Sequence, residues 1–296
     1  MPITAWTCRI HGEVPLTHWT SGETDPPCDL YSPRLIQAIL DDRLNDKVHT
    51  GTNLTPTTLL DCPRRVIIER NIPFTASPED YMTPEIGTLA HEGLAARPLP
   101  PIYQGKLQHS VKVEGNLFGQ HLQGKIDVLI SDGTLRIIED DKFTNPYSLS
   151  RKEKEGASED HRAQVSMYAL LLQQSITRTD LKINYYGVGS GKGAPPHIRC
   201  PVEPMTEEDI ERHTPGGGQQ TVRQNVDNFV SAFNNLDRPF LTKEISKERV
   251  HEVIRTLPLA GQSMWRGRKG ECYCTAYCPV AKICLGEIEG KPGLML

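Results

Sequence analysis

No run of about 18 or more apolar residues occurs in the 296-residue chain, so no segment reads as a membrane span. The start, Met1 to Cys8, has neither the charged opening nor the apolar stretch of a secretory leader. Together these absences predict a cytoplasmic, intracellular protein with no membrane partner. Surplus positive charge is missing as well, since the formal net charge is −4. Nucleic-acid binding through bulk charge is thereby disfavoured, and any basic footprint must be local. Candidates are Arg64 with Arg65, then Arg151, Lys152 and Lys154, then Arg266, Arg268 and Lys269.

Two catalytic classes are also excluded. There is no Gly-x-Ser-x-Gly nucleophile elbow. Gly189-Ser190-Gly191-Lys192-Gly193 imitates a phosphate-binding loop, but Tyr186 stands where its first glycine belongs and Gly193 where Ser or Thr should follow the lysine. No internal repeat is visible.

Eight cysteines are present. In a reducing compartment, clustered cysteines point to metal rather than to disulfides. Cys62 stands early, while Cys272, Cys274, Cys278 and Cys284 crowd the end. On spacing alone, four such thiolates suit zinc or an iron–sulfur cluster equally. A second set, Cys8-x2-His11 with Asp25-x2-Cys28 and His18 nearby, is a candidate zinc knuckle, although Asp is an unusual structural zinc ligand. Cys200 stands alone and reads as a buried residue.

Residues 1–50 are turn-rich, with one helix expected over Arg34–Arg43 behind Ser32 and Pro33. A second helix is expected from Thr55-Pro56 to Asn71. A third starts near Thr83-Pro84-Glu85, carries His91 and stops at Pro98, Pro100 and Pro101. Strands follow over Val111–Val113, Leu122–Ile130 and Thr134–Ile138, the last two joined by a tight turn at Ser131-Asp132-Gly133. After a charged stretch come a helix over about Asp160–Ser175, a strand over Ile183–Val188, and a helix over about Gln219–Asn235 behind Gly216-Gly217-Gly218. This order predicts one α/β domain with helical ends.

The strongest local signal is Gly124-Lys125-Ile126-Asp127 followed by Glu139-Asp140-Asp141-Lys142. Residues two apart on a strand share a face, so Asp140 and Lys142 point together. Asp127, on the preceding strand, can converge on the same spot. Two carboxylates and an ammonium there suit a hard divalent cation beside a phosphate. Gly87 and His91 share a helix face, as do Gln164 and Tyr168.

The order Gly87-x3-His91, Gly124-x2-Asp127, Asp140-x-Lys142 and Gln164-x3-Tyr168 resembles the PD-(D/E)XK nuclease superfamily, in particular its RecB-like branch. The resemblance implies a restriction-endonuclease-like core, a mixed central sheet flanked by helices. It implies Mg²⁺ or Mn²⁺ held by His91, Asp127, Asp140 and the backbone carbonyl of Asp141, with Lys142 as catalytic lysine. Gln164 and Tyr168 would support the site and touch the DNA strand. The segment Thr55 to Arg65 is similar to the one preceding the nuclease core in the iron–sulfur subgroup, which includes CRISPR-associated RecB-like exonucleases, AddB-type nucleases and phage proteins. That likeness implies a [4Fe-4S] cluster on Cys62, Cys274, Cys278 and Cys284, tying the helical extensions together. The subgroup usually spaces its first two late cysteines by two residues, whereas three separate Cys274 from Cys278, so Cys272 competes with Cys274.

The expected organisation is an N-terminal extension (1–50), a nuclease domain (51–270) and a C-terminal cysteine cluster (271–296) packing back on the helix that contains Cys62. The expected function is hydrolysis of DNA phosphodiesters, as an exonuclease on single-stranded ends in recombination, repair, phage DNA processing or CRISPR adaptation. A catalytically silent DNA-binding module on the same scaffold, or a nuclease acting on RNA or branched DNA, are the alternatives.

Overall fold

The computed structural model describes residues 3–8, 12–15, 54–72, 74–76, 78–98, 101–132, 135–172, 178–188, 197–236, 245–258 and 278–288. The expected helix over Arg34–Arg43, His11, His18, Asp25, Cys28, Cys272, Cys274, Arg266, Arg268 and Lys269 lie outside them. Cys8 ends strand β1 (Ile3–Cys8), which pairs antiparallel with β2 (Gly12–Pro15) and parallel with β3 (Phe74–Ala76).

The main sheet has five strands in the order β4 (Leu107–Leu117), β5 (Gln120–Asp132), β6 (Leu135–Thr144), β7 (Arg178–Gly187) and β8 (His197–Val202). Adjacent pairs are antiparallel except β6 with β7, which is parallel. A parallel neighbour requires a crossover, and two helices supply it. They are α4 (Pro146–Glu155) and α5 (Glu159–Leu171), numbered after α1 (Pro56–Leu59), α2 (Pro63–Asn71) and α3 (Pro78–Ala95). Helix α5 lies across the sheet and touches β4, β5, β6 and β7. The mixed α/β core agrees with the restriction-endonuclease-like architecture expected.

Local chemistry accounts for the departures from the expected elements. The second helix is broken in two at Cys62, which is extended (φ −67°, ψ 120°) ahead of Pro63. The proline ring disfavours helical geometry in the residue before it. Helix α3 begins on Pro78 and runs through Pro84; a proline at the first helical position is the same start signal as the one expected at Pro84. The charged stretch after Asn145 is helix α4, because Asn145 Oδ1 accepts from Ser148 N at 2.8 Å and Pro146 occupies the first turn. Gly156 ends it at φ 77°.

Beyond the sheet, α6 (Glu207–Arg212), α7 (Val222–Asn235) and α8 (Lys247–Thr256) follow, and a wide-turned helical segment covers Lys282–Ile288. Thr206 and Thr221 head α6 and α7 with complete capping boxes. Helix α2 buries Val66, Ile67 and Ile68 and packs against α7, α8 and Lys282–Ile288. One apolar cluster runs from Ile67 and Ile68 through Leu122, Ile126 and Ile138 to Phe229 and Ile254.

Candidate active site

The site forms where the main sheet splits. The β5–β6 ladder runs from Asp132–Leu135 to Val128–Glu139 and ends there. Beyond it, the next link is made by a side chain: Asp127 Oδ2 accepts from Asp141 N at 2.9 Å. The edge of β5 that β6 vacates is taken up further along by Leu54, which bridges Leu122 and accepts from Gln123 N at 3.0 Å. The opening between these two contacts is a cleft of about 880 Å³. On its other edge, β4 is irregular opposite the same point, with Ser110 at φ 55° between the paired residues His109 and Val111. Bulges and left-handed residues beside a site re-aim side chains.

His91, Asp127, Asp140, Lys142, Gln164 and Tyr168 all line this cleft. Asp140 is buried, and its Oδ2 stands 2.7 Å from Lys142 Nζ. At that distance the ammonium and the carboxylate form a charge-assisted pair. Burial raises the Asp140 pKa, and the Lys142 ammonium works against that rise. Burial alone would lower the Lys142 pKa; the Asp140 carboxylate overcomes it and raises it.

His91 Nδ1 lies 3.9 Å from Asp127 Oδ2. The imidazole is oriented by an aromatic row: it meets Phe143 edge-on at 5.1 Å, Phe143 stacks on Tyr186 at 5.1 Å, and Tyr186 on His197 at 4.8 Å. Gln164 Nε2 donates to Tyr168 Oη and to Thr57 Oγ1, both at 3.1 Å, tying α5 to α1. Burial raises the Tyr168 pKa, with Asp140 adding to the effect. The Tyr168 ring lies on Gly124 so closely that a Cβ there would stand 2.7 Å from a ring carbon. Gly87 is under no such constraint, since a Cβ would meet only Phe143 at 3.9 Å.

The opposite face of β6 carries a second polar set that strand alternation implies and that no motif in the sequence marks. Asn184 Nδ2 donates to Glu139 Oε2 at 2.9 Å and to Asp141 Oδ1 at 2.8 Å, all three residues being buried. Arg199 pairs with Glu139. The Asp141 side chain is thus anchored behind the sheet while its backbone faces the cleft. Lys112 and Lys125 also line the cleft, beyond the residues expected there. The place of Lys125, two residues before Asp127 on one strand face, is the signal in the sequence that points to it.

Some expected roles are displaced. Arg64 is buried, with Nε and Nη2 donating to Leu257 O at 2.8 and 2.5 Å. Arg65 pairs with Asp61 at 3.4 Å and Glu69 at 2.9 Å. Arg151 pairs with Glu155, and Lys152 lies over the Tyr185 ring. Arg64 is thus committed to packing, and Arg65, Arg151 and Lys152 are each engaged by a neighbouring side chain. Cys200 is buried in β8, as expected.

Of the late cysteines, Cys284 is buried and Cys278 half-buried, and neither forms a disulfide. Cys62 heads α2, its thiol pushed up to about 11 by burial, with the nearby Cys284 contributing. Among the described residues, no group of three or more His, Cys, Asp or Glu side chains is gathered as a ready metal site. No helix among them is long and apolar enough to cross a membrane.

The chain belongs to the PD-(D/E)XK nuclease superfamily, whose family model matches residues 102–285. The match takes in Asp127, Asp140, Lys142, Gln164 and Tyr168, while Cys62 and His91 precede it. The crystal structure of SSO0001 is similar at 17% identity, over 67% of this chain and 84% of that one, with a TM-score of 0.43. A likeness that loose carries no functional weight. No curated protein matches the chain.

Proposed function

We propose that the cleft hydrolyses DNA phosphodiesters, acting as an exonuclease on single-stranded ends, and that His91, Asp127, Asp140 and Lys142 carry the reaction. The observation behind this reading is the pair of buried Asp140 and half-buried Lys142 set against Asp127 at the mouth of the sheet split. The donor set fits Mg²⁺ or Mn²⁺: carboxylate oxygens dominate it, and Asp127, Asp140 and His91 line one cleft. Asp127, Asp140 and His91 would hold the ion, with the Asp141 carbonyl as a further ligand. When bound, such an ion polarises a phosphoryl oxygen and acidifies a coordinated water.

The remaining work falls to the chain. Lys142 donates hydrogen bonds to the attacking water and offsets the negative charge that builds on phosphorus. Asp127 also fixes the Asp141 backbone by accepting from its N–H. Gln164 and Tyr168 orient the strand from α5, their amide and hydroxyl already locked to each other. The anchoring of Asp141 by Asn184 keeps the floor of the site from shifting.

The same reading assigns a [4Fe-4S] cluster to Cys62, Cys274, Cys278 and Cys284. Cys62 and Cys284 are both buried without a disulfide, and the helix headed by Cys62 packs against Lys282–Ile288, a proximity that suits shared ligation. Its role would be structural.

Cleavage of end-labelled single-stranded DNA with Mn²⁺ tests the proposal. Release of mononucleotides or short products from one end is expected, with duplex DNA and RNA cut far more slowly. Cleavage confined to RNA or branched DNA would replace the substrate, and none on any nucleic acid would sink the reading. Protein purified without oxygen should show a broad visible thiolate-to-iron absorption; stoichiometric zinc without iron would refute the cluster.

A further inference from the structure

Lys112 on β4 and Lys125 on β5 are direct partners across the antiparallel ladder. Residues so placed share a sheet face with their Cβ atoms about 4.5–5.5 Å apart, where like charges repel. Both are exposed, both line the cleft, and neither has an ion-pair or hydrogen-bond partner among the described residues. The available carboxylate is turned elsewhere: Glu114, two residues from Lys112, faces His121 at 3.8 Å and Gln123 at 3.5 Å. Exposed Arg151, Arg212, Lys247 and Arg249 each pair with a glutamate, and exposed Arg97, Lys154 and Lys282 lie outside the cleft lining. In a chain of net charge −4, an uncompensated cross-strand lysine pair inside the cleft calls for an anion.

We infer that Lys112 and Lys125 form a phosphate-binding subsite that grips one backbone phosphate of the substrate strand, next to the phosphodiester being cut; this rests on the nuclease reading above. Spacing sets the position. Lys125 stands two residues before Asp127 on β5, about 6.6 Å along a strand, and both line the cleft. That is on the order of the distance between neighbouring phosphates in an extended single strand. Two ammonium groups converging from adjacent strands hold that phosphate without reading its base. The subsite therefore sets which linkage reaches Asp140 and Lys142, irrespective of sequence. The strand leaves the metal-ligating residues along β4 and β5, towards Glu114 and Gln123.

The test measures binding of a fluorescent oligothymidylate to the full chain with Ca²⁺ in place of Mn²⁺, across a salt series, alongside Mn²⁺ cleavage. Replacing both residues, Lys112→Gln with Lys125→Gln, should lower the slope of log K against log salt by about 0.7, the value for one phosphate no longer neutralised. Cleavage should show KM raised more than kcat is lowered, with the same change on oligoadenylate. The arginine pair, Lys112→Arg with Lys125→Arg, should restore the slope. Relief of repulsion should leave the melting temperature of the glutamine pair unchanged or higher. An unchanged salt slope in a variant derived from an active wild-type enzyme overturns the subsite alone. A lower melting temperature with unchanged KM assigns the lysines to structure and does the same. Failure of wild-type protein to bind or cut any nucleic acid overturns the nuclease reading beneath it.

Discussion

At Gly124 the backbone approaches Tyr168 so closely that no side chain fits: an added Cβ would meet two ring carbons at 2.7 and 3.2 Å and Pro56 at 3.4 Å. Gly124→Ala should push the ring, and Gln164 with it, off the cleft. A destabilisation of about 1–3 kcal/mol is expected from overpacking, read by urea unfolding, together with reduced cleavage. Wild-type stability and activity would show that the ring moves aside freely. The charged residues act by chemistry rather than fit. Lys142→Ala and Asp127→Ala should each abolish Mn²⁺-dependent cleavage while retaining the native circular dichroism spectrum. Lys142→Ala should also melt lower in chelator, because Asp140 is buried and loses its counter-charge. Full activity in either variant would remove that residue from the site.

Strand β6 serves two faces at once, and this governs its tolerance to change. Ile138, Asp140 and Lys142 face α5, while Glu139 and Asp141 face Asn184 behind the sheet. Asn184→Ala leaves two buried carboxylates short of a donor. The expected cost is about 1–3 kcal/mol in urea unfolding, with weaker Mn²⁺ activation as the Asp141 backbone loosens. Helix α5 adds a pH dependence. His161 is pressed between burial and the cations Lys142 and Lys152, which take its pKa down to about 3, and its Nδ1 lies 2.8 Å from Tyr185 Oη. In the unfolded chain it titrates near 6.5. Between those values the unfolded state binds the extra proton, so stability falls as pH drops through the window and is regained as it rises. Wild-type protein should therefore lose more stability between pH 7.5 and pH 5 than His161→Gln does. Equal losses would refute the assignment.

Across the whole molecule, the helical ends are tied to the core by long-range bonds. Asn225 Nδ2 on α7 donates to Leu59 O at 2.9 Å, and Arg64 on α2 donates to Leu257 O beyond α8. The proposed cluster would add a covalent clip between Cys62 and the chain's last described segment. Closing so long a loop contributes at most about 5 kcal/mol by the chain-entropy model. Cys62→Ser should yield protein with depleted iron and a lower melting temperature. Iron content and melting temperature both equal to wild type would exclude Cys62 as a ligand.

By itself, the sequence determined the parts that are local or periodic. Two-residue alternation settled that Asp140 and Lys142 share a face and that Asp141 points away, and helical spacing joined Gln164 to Tyr168. The start of helix α4 is written in Asn145-Pro146, yet its body is a charged stretch, and Lys and Glu alone do not distinguish a helix from a solvated loop. Strand β8 was not legible, nor was the burial of Glu139 and Asp141 on β6. Buried acids look solvent-exposed in a sequence until the partners that satisfy them, Asn184 and Arg199, are brought in from other strands. Only the tertiary structure decided that β5 and β6 part at Asp127. It likewise decided that Leu54 closes the far end of the gap, and that Lys112 and Lys125 face each other inside it. Those facts depend on strand register, which is set by packing between residues far apart in the chain.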